Sequence, residues 1–290
     1  MNENYQIFSH RDKEPENSIL YVVGTPIGNL NDISIRAKNI LMNVSIIACE
    51  DTRNTGNLLK NLNISNKLIS FHKHNSYQRL DYLITKLSEG RSIALVSDAG
   101  MPSISDPGEI LIKEARKANL DIICIPGPCA AINALVSSGL DSSKFTFYGF
   151  IPKSTNERKI ILKAISESEI SCIVYESPKR IIKLLKDLKK FCGGLRKIAL
   201  LKEMTKRYEQ HFGSNIDEVL EKFNNIELRG ELTLVVSGHK TTTNSIANEV
   251  LRNDLLKLMQ AGLSHSAASS YLSEKFGRSK KEIYNLILDK

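Results

Sequence analysis

Short apolar runs alternate with helix-period segments along most of the chain. Ile19–Val23 (ILYVV), Val44–Cys49 (VSIIAC), Lys67–Phe71 (KLISF), Ser92–Ser97 (SIALVS) and Asp121–Ile125 (DIICI) read as strands. Asp32–Met42, the stretches near Thr52–Asn61 and Tyr77–Ser88, Asp106–Ala118 and Ala130–Ser137 have helical spacing. This alternation with short connections predicts an α/β fold, a mainly parallel sheet covered by helices. Unbroken apolar strands fit, because parallel strands are buried on both faces. A second α/β block starts near Phe145–Phe150 (FTFYGF). It holds strands at Glu169–Tyr175, Lys197–Lys202 and Glu231–Ser237, and helices at Glu157–Ser166, Pro178–Lys190 and Ile216–Phe223. The polar stretch Gly238–Ser245 (GHKTTTNS) reads as a linker. Three short helices follow, at Ala247–Gln260, Ser264–Lys275 and Ser279–Leu288. The expected organisation is a polar tail (1–18), two α/β domains (19–140 and 141–240) and a helical module (245–290).

Composition narrows this picture. The 290 residues are 41% hydrophobic and 25% charged, as in a globular enzyme. No run approaches the roughly 18–20 apolar residues of a membrane span. Met1–Ser18 lacks the apolar centre of a secretory signal, so a cytoplasmic protein is expected. Five cysteines, with no CxxC and no zinc-like Cys/His spacing, support neither a disulfide framework nor a structural metal. The net charge of +8 favours a polyanionic partner, although many basic enzymes bind only small molecules.

The chemistry concentrates in four loops at strand ends, where open parallel sheets bind ligands. Gly24–Leu30 (GTPIGNL) is stiff and allows close approach, yet it is not GxGxxG; a tight turn alone would also explain it. Glu50–Arg53 (EDTR) sets two carboxylates beside a hydroxyl and a guanidinium. Asp51 or Thr52 could instead cap the next helix. Ser97–Pro102 (SDAGMP) continues to Ser105–Gly108 (SDPG) and exposes backbone polar groups with little freedom to lose. There Asp106 could also cap a helix with Pro107 at its first position, and the recognition and capping roles can hold together. Pro126–Ala131 (PGPCAA) lets a ligand ring lie against the backbone; Cys129 has no nearby histidine to make it a nucleophile. No GxxxxGK[ST] and no GxSxG occurs, so neither a P-loop NTPase nor an α/β-hydrolase is supported.

Taken in order, VVGTPIGNL, ACEDTR, SFHKHN, LVSDAGMPSISDPG, IPGPCAA, YGFIPK, YESPKR and RGELTLVVSG resemble one family from about Leu20 onward. It is the ribosomal RNA small subunit methyltransferase I family, within the tetrapyrrole-methylase-like S-adenosylmethionine (SAM) enzymes. The resemblance implies two α/β domains of the class III methyltransferase type, with SAM in the cleft between them, and a homodimer. It implies methyl transfer to the ribose 2′-hydroxyl of a cytidine in the decoding region of 16S rRNA. Carried over, Pro26 would border the cleft. Ser97, Asp98, Ala99, Gly100, Pro102 and Ser105 would line the SAM pocket, with Cys129 and Ala130 against the cofactor. Tyr175, Glu176, Ser177, Gly230, Glu231 and Leu232 would close it. The chain departs from the family pattern at Met101, at Lys179 and within Lys202–Lys206 (KEMTK).

Attack by a ribose hydroxyl requires a proton acceptor. Glu50, Asp51 and Asp98 are the candidate bases, and Arg53 and Lys202 the electrostatic helpers. The favoured division gives the EDTR carboxylates to substrate and Asp98 to the cofactor side. His72 and His74, alternating on a strand, would share one face as in a metal site, but no third ligand is evident and no metal is expected. Lys179, Lys183, Lys186 and Lys190 share one helix face opposite Ile181, Leu184, Leu185 and Leu188. That stripe is either solvated surface or a phosphate track, which Arg158, Lys159 and Lys163 would extend. The last helices resemble a helix-turn-helix module, with Ser264 and Ser279 as caps and Arg278, Lys280 and Lys281 as an RNA surface. Core packing alone reads equally well there. Two alternatives stand beside the rRNA methyltransferase. One is a SAM-dependent C-methyltransferase of a tetrapyrrole precursor. The other is a nucleic-acid-binding regulator with a vestigial ligand domain.

Overall fold

The structure, a computed structural model, describes residues 13–223, 228–239, 248–276 and 278–287. Most of the polar tail and of the expected linker lie outside them. The chain forms two compact units, one ending at Ser237 and one beginning at Gly238.

The first unit holds two five-stranded sheets. Sheet one is built from β1 (Ile19–Val23), β2 (Ile46–Cys49), β3 (Leu68–Ser70), β4 (Ile93–Val96) and β5 (Asp121–Ile125). The strands are all parallel, in the order β3-β2-β4-β1-β5. Strand alternation divides its side chains between two cores. Ile19, Tyr21 and Val23 pack with α1 (Ile35–Asn43) and α2 (Thr52–Asn61). Leu20 packs on the other face with α3 (Ser76–Ser88) and α4 (Glu109–Lys117). The sheet is thus covered on both sides, as its apolar strands predict.

The first helix begins later than its periodicity suggests, because Leu30–Asp32 forms a separate 3-10 turn and Ser34 caps Ala37 N–H. Helix α4 also begins later. Gly108, at φ 145°, occupies the N-cap position, so Asp106 does not cap the helix and Pro107 is not its first residue. The strand placement expected for His72 and His74 fails as well. β3 ends at Ser70, and His72–Asn75 turns into α3, closed by Asn75 N–H on the His72 carbonyl at 3.0 Å. Among the described residues no cluster suited to a metal occurs.

Sheet two is built from β6 (Phe145–Phe150), β7 (Ser171–Glu176), β8 (Lys197–Lys202), β9 (Gln210–Asn215) and β10 (Leu232–Val236). Its order is β6-β7-β10-β8-β9, with only β6 and β7 parallel. Helices α6 (Thr155–Glu167), α7 (Pro178–Cys192) and α8 (Ile216–Lys222) pack on one face. The other face is covered by α5 (Ala130–Ser137), through Ala131, Ala134 and Leu135 against Ile173, Ala199, Leu201 and Val235. A helix assigned by sequence order to the first block therefore packs on the second sheet.

In the second unit, α9 (Asn248–Gln260), α10 (His265–Phe276) and α11 (Lys280–Asn285) bury Leu255, Ala268, Leu272 and Ile283. Ser264 accepts from Ala267 N–H and Ser279 from Glu282 N–H, so both expected caps form. Among the described residues no helix is long and apolar enough to cross a membrane.

Candidate active site

Three of the four loops are joined at the carboxyl edge of sheet one. Thr25 and Gly100 exchange backbone hydrogen bonds of 2.9 and 3.1 Å, tying the first loop to the third. Gly24 and Gly127 tie the first to the fourth. A Cβ on Gly24 would sit 2.7 Å from the Gly127 Cα, so neither position has room for a side chain. The fourth loop reaches sheet two, where the Tyr175 hydroxyl accepts from Ala131 N–H at 3.0 Å. Phe147 and Phe150 hold the Tyr175 ring edge-to-face.

These contacts frame a cleft of about 350 Å³, within the roughly 300–1,000 Å³ range of small-molecule sites. It is lined from sheet one by Ala99, Gly100, Ser105, Cys129 and Ala130, and from sheet two by Tyr175, Glu176, Ser177, Gly230, Glu231 and Leu232. Pro26, Ser97, Asp98 and Pro102 do not line it. Ser97 and Pro102 are buried beneath, where Ser97 donates to the Ala99 carbonyl and shapes the turn. Sequence reasoning missed Ile27, Met101, Ile104, Asp106, Phe150, Pro178 and Thr233 in the lining. Asp106 had a visible signal, a carboxylate within a rigid Ser-Asp-Pro-Gly turn of a loop already read as ligand-binding, although it was not itself singled out as a site residue.

Two carboxylates stand out in this lining. Glu176 is 2% exposed. Its Oε1 accepts from Ser177 N–H at 2.8 Å, while its Oε2 has no hydrogen-bond partner. The Arg180 guanidinium lies 3.2 Å from that oxygen without hydrogen-bond geometry. A buried, half-satisfied carboxylate is costly unless a ligand completes it. Asp106 is pushed up to about 6 by burial first, then by Glu50 and Asp98; Ser97 and Lys73 act in the opposite sense. Glu50 is likewise raised, by burial and then by Asp98, with His72 and Lys73 opposing. A carboxyl poised near neutrality in a cleft suits proton transfer.

The remaining EDTR residues are engaged elsewhere. Asp51 caps α2, accepting from Arg53 N–H at 2.8 Å and from the Arg53 guanidinium at 2.6 Å. Arg53 holds the Asp51 carboxyl down to about 2, which makes it a weak base. Asp98 bridges loops two and three, accepting from Asp51 N–H at 3.1 Å and the Asn54 amide at 2.7 Å. Lys202 donates to Gln210 on the neighbouring strand at 3.1 Å and is absent from the cleft lining.

Lys179, Lys183, Lys186 and Lys190 are exposed, and none of these four forms an ion pair with a described residue, whereas Lys189 of the same helix pairs with Asp217 at 2.7 Å. Pro178, at the start of the same helix, lines the cleft, so the stripe begins at the cleft mouth. Arg158 does not extend it. That side chain is buried and paired with Asp187 at 2.9 Å. Lys159 and Lys163 are exposed. In the second unit Lys280 and Lys281 are exposed, whereas Arg278 donates to Asn248 at 2.9 Å.

Residues 19–220 match the model of the Tetrapyrrole (Corrin/Porphyrin) Methylases. Ribosomal RNA small subunit methyltransferase I of Synechocystis sp. is 41% identical over 93% of this chain and 98% of its own. The protein of the same name from Escherichia coli O157:H7 is 40% identical over 97% of this chain and 98% of its own. Among solved structures, uroporphyrin-III C-methyltransferase from Thermus thermophilus, complexed with S-adenosylhomocysteine, superposes with a TM-score of 0.52. That match is 14% identical and covers 75% of this chain and 96% of the other, a likeness of fold. The chain belongs to the tetrapyrrole methylase family and, within it, to the ribosomal RNA small subunit methyltransferases I, which are SAM-dependent enzymes.

Proposed function

We propose that this chain methylates the ribose 2′-hydroxyl of a cytidine in the decoding region of small-subunit rRNA, with SAM as the donor. The observation that carries the reading is the cleft, which combines the orphaned Glu176 Oε2 with the near-neutral Asp106. Its residues fit SAM. Ile104, Phe150 and Leu232 offer apolar faces, Ala99, Gly100 and Ala130 keep the loop wall free of bulky side chains, and Glu176 offers an acceptor for a ligand N–H or O–H. When bound, SAM supplies a methyl group already activated on sulfur. Glu176, Ser177, Tyr175 and Ala130 would hold and orient it, with residues 230–232 as part of the facing wall. Asp106 accepts the proton lost by the ribose hydroxyl; Glu50 and Asp98 keep its carboxyl near neutrality. Asp51 and Arg53 hold the start of α2 instead of moving protons.

RNA lies along α7. Lys190 lies eleven helical steps beyond Lys179, about 16 Å of helix, running away from the cleft mouth. Lys280 and Lys281 supply a second basic patch. The enzyme works as a homodimer, and the exposed Ile132 and Val136 of α5 give apolar surface for it. An rRNA substrate places the reaction in the bacterial cytoplasm.

The test is transfer of tritiated methyl from SAM to small ribosomal subunits that lack the modification. Free 16S rRNA and a tetrapyrrole precursor run as parallel acceptors. Label in RNA alone supports the reading. Label in the tetrapyrrole alone replaces it with C-methylation on the same scaffold.

A further inference from the structure

The loop between β8 and β9 forms a clasp across the cleft. Glu203 and Thr205 hold φ of 53° and 66°, left-handed values that non-glycine residues keep only where surrounding contacts impose them. On one side, Glu203 grips the cleft wall. Its N–H donates to the Glu231 carbonyl at 2.9 Å, and its Oε1 accepts from Glu231 N–H at 2.8 Å. Gly230, at φ 93°, has no room for a side chain, since a Cβ would sit 2.5 Å from the Glu203 carboxylate. On the other side the same loop meets sheet one. Thr205 Oγ1 accepts from Asn29 N–H at 3.2 Å. A Cβ on Gly28 would lie 2.4 Å from the Lys206 Cγ.

Lys206 joins the two sides. Its ammonium lies 3.0 Å from both Glu203 and Glu231, while its stem packs on Gly28. The two ion pairs are unequal. The Glu231 side chain is 75% exposed and that of Glu203 20% exposed, so solvent weakens the first far more than the second. We propose that Lys206 is a positioning residue: it locks Glu203 and thereby holds the 230–232 wall of the cleft against the first loop. It touches neither donor nor acceptor. Its effect on the cofactor rests on the SAM reading above, but its effect on the two loops does not.

Hydrogen exchange reads the clasp without any ligand. In Lys206→Met, which keeps the stem and removes the charge, the Glu231 and Asn29 amides exchange about tenfold faster or more, and Lys206→Arg restores most of the protection. Amides of the β1 core stay as in the unchanged protein. Calorimetry with S-adenosylhomocysteine then shows about tenfold weaker binding for Lys206→Met. Gly28→Ala crowds the lysine stem from the opposite side with all charges in place. It gives the same exchange pattern, and serves if Lys206→Met does not fold. Unchanged protection at Glu231 and Asn29 in the folded variants overturns the proposal. So does unchanged S-adenosylhomocysteine affinity where the unchanged protein binds it. Failure of the unchanged protein to bind S-adenosylhomocysteine contradicts the SAM reading, and the exchange data still decide the clasp.

Discussion

Burial and two neighbouring carboxylates raise Asp106 to about 6, above the ordinary carboxyl value of 3.8. The folded state therefore favours the protonated form. The stability this group contributes is complete below about 3.8 and is lost as pH rises through about 6. Asp106→Asn should raise the melting temperature at pH 8 and change it little near pH 4, as thermal denaturation at the two pH values will show. The same substitution should lower kcat by about 10²–10⁴ and remove the rise in kcat with pH near 6. A rise that persists would assign the base to Glu50. Glu176 is tested by Glu176→Gln, which keeps the shape of the side chain and removes its charge. S-adenosylhomocysteine affinity should fall about tenfold or more by calorimetry, measured on the folded variant, whose melting temperature falls because the buried charge also faces Arg180.

Helix α7 shows two uses of charge on one element. Its apolar face, Ile181, Leu184, Leu185 and Leu188, is fully buried, and Asp187 pairs with Arg158 from α6. Arg158→Met leaves the Asp187 carboxylate uncompensated and should cost about 3 kcal/mol in urea denaturation, the low end for a buried pair because Asp187 retains some solvent. The opposite face carries the lysines. Changing Lys179, Lys183, Lys186 and Lys190 to Gln should leave stability unchanged and reduce the salt dependence of RNA binding, log K against log salt, by about 3. An unchanged slope would make the stripe plain solvated surface. This element was legible because amphipathic spacing and charge agree. Strand β9 was not legible. Gln210–Asn215 has no apolar run; β8 forms it by pairing along its full length as an edge strand. The capping reading of Asp106 failed because the N-cap position falls on Gly108, where a side chain would crowd Ser103 and Leu95.

At the scale of the molecule, alternating strands and helices disclose two α/β sheets but not how they share helices. Helix α5 follows β5 in sequence, yet its small residues fit the face of sheet two that α6, α7 and α8 leave open. Tyr175 and the 203–206 loop then bind the two sheets around one cleft. Most of the cleft lining was legible from the glycine- and proline-rich loops. Ile27, Met101, Ile104 and Asp106 lie within those loops and Pro178 at the start of α7, whereas Phe150 and Thr233 are ordinary strand side chains that only the closed geometry brings to the cleft. The central claim is that this cleft methylates a ribose in small-subunit rRNA. Its most direct test is mass spectrometry of nuclease-digested rRNA from subunits methylated by this enzyme. The account predicts a single new 2′-O-methylcytidine, in a decoding-region fragment, that is lost with Asp106→Asn. A methyl group on a base, or no modified nucleoside at all, would contradict it.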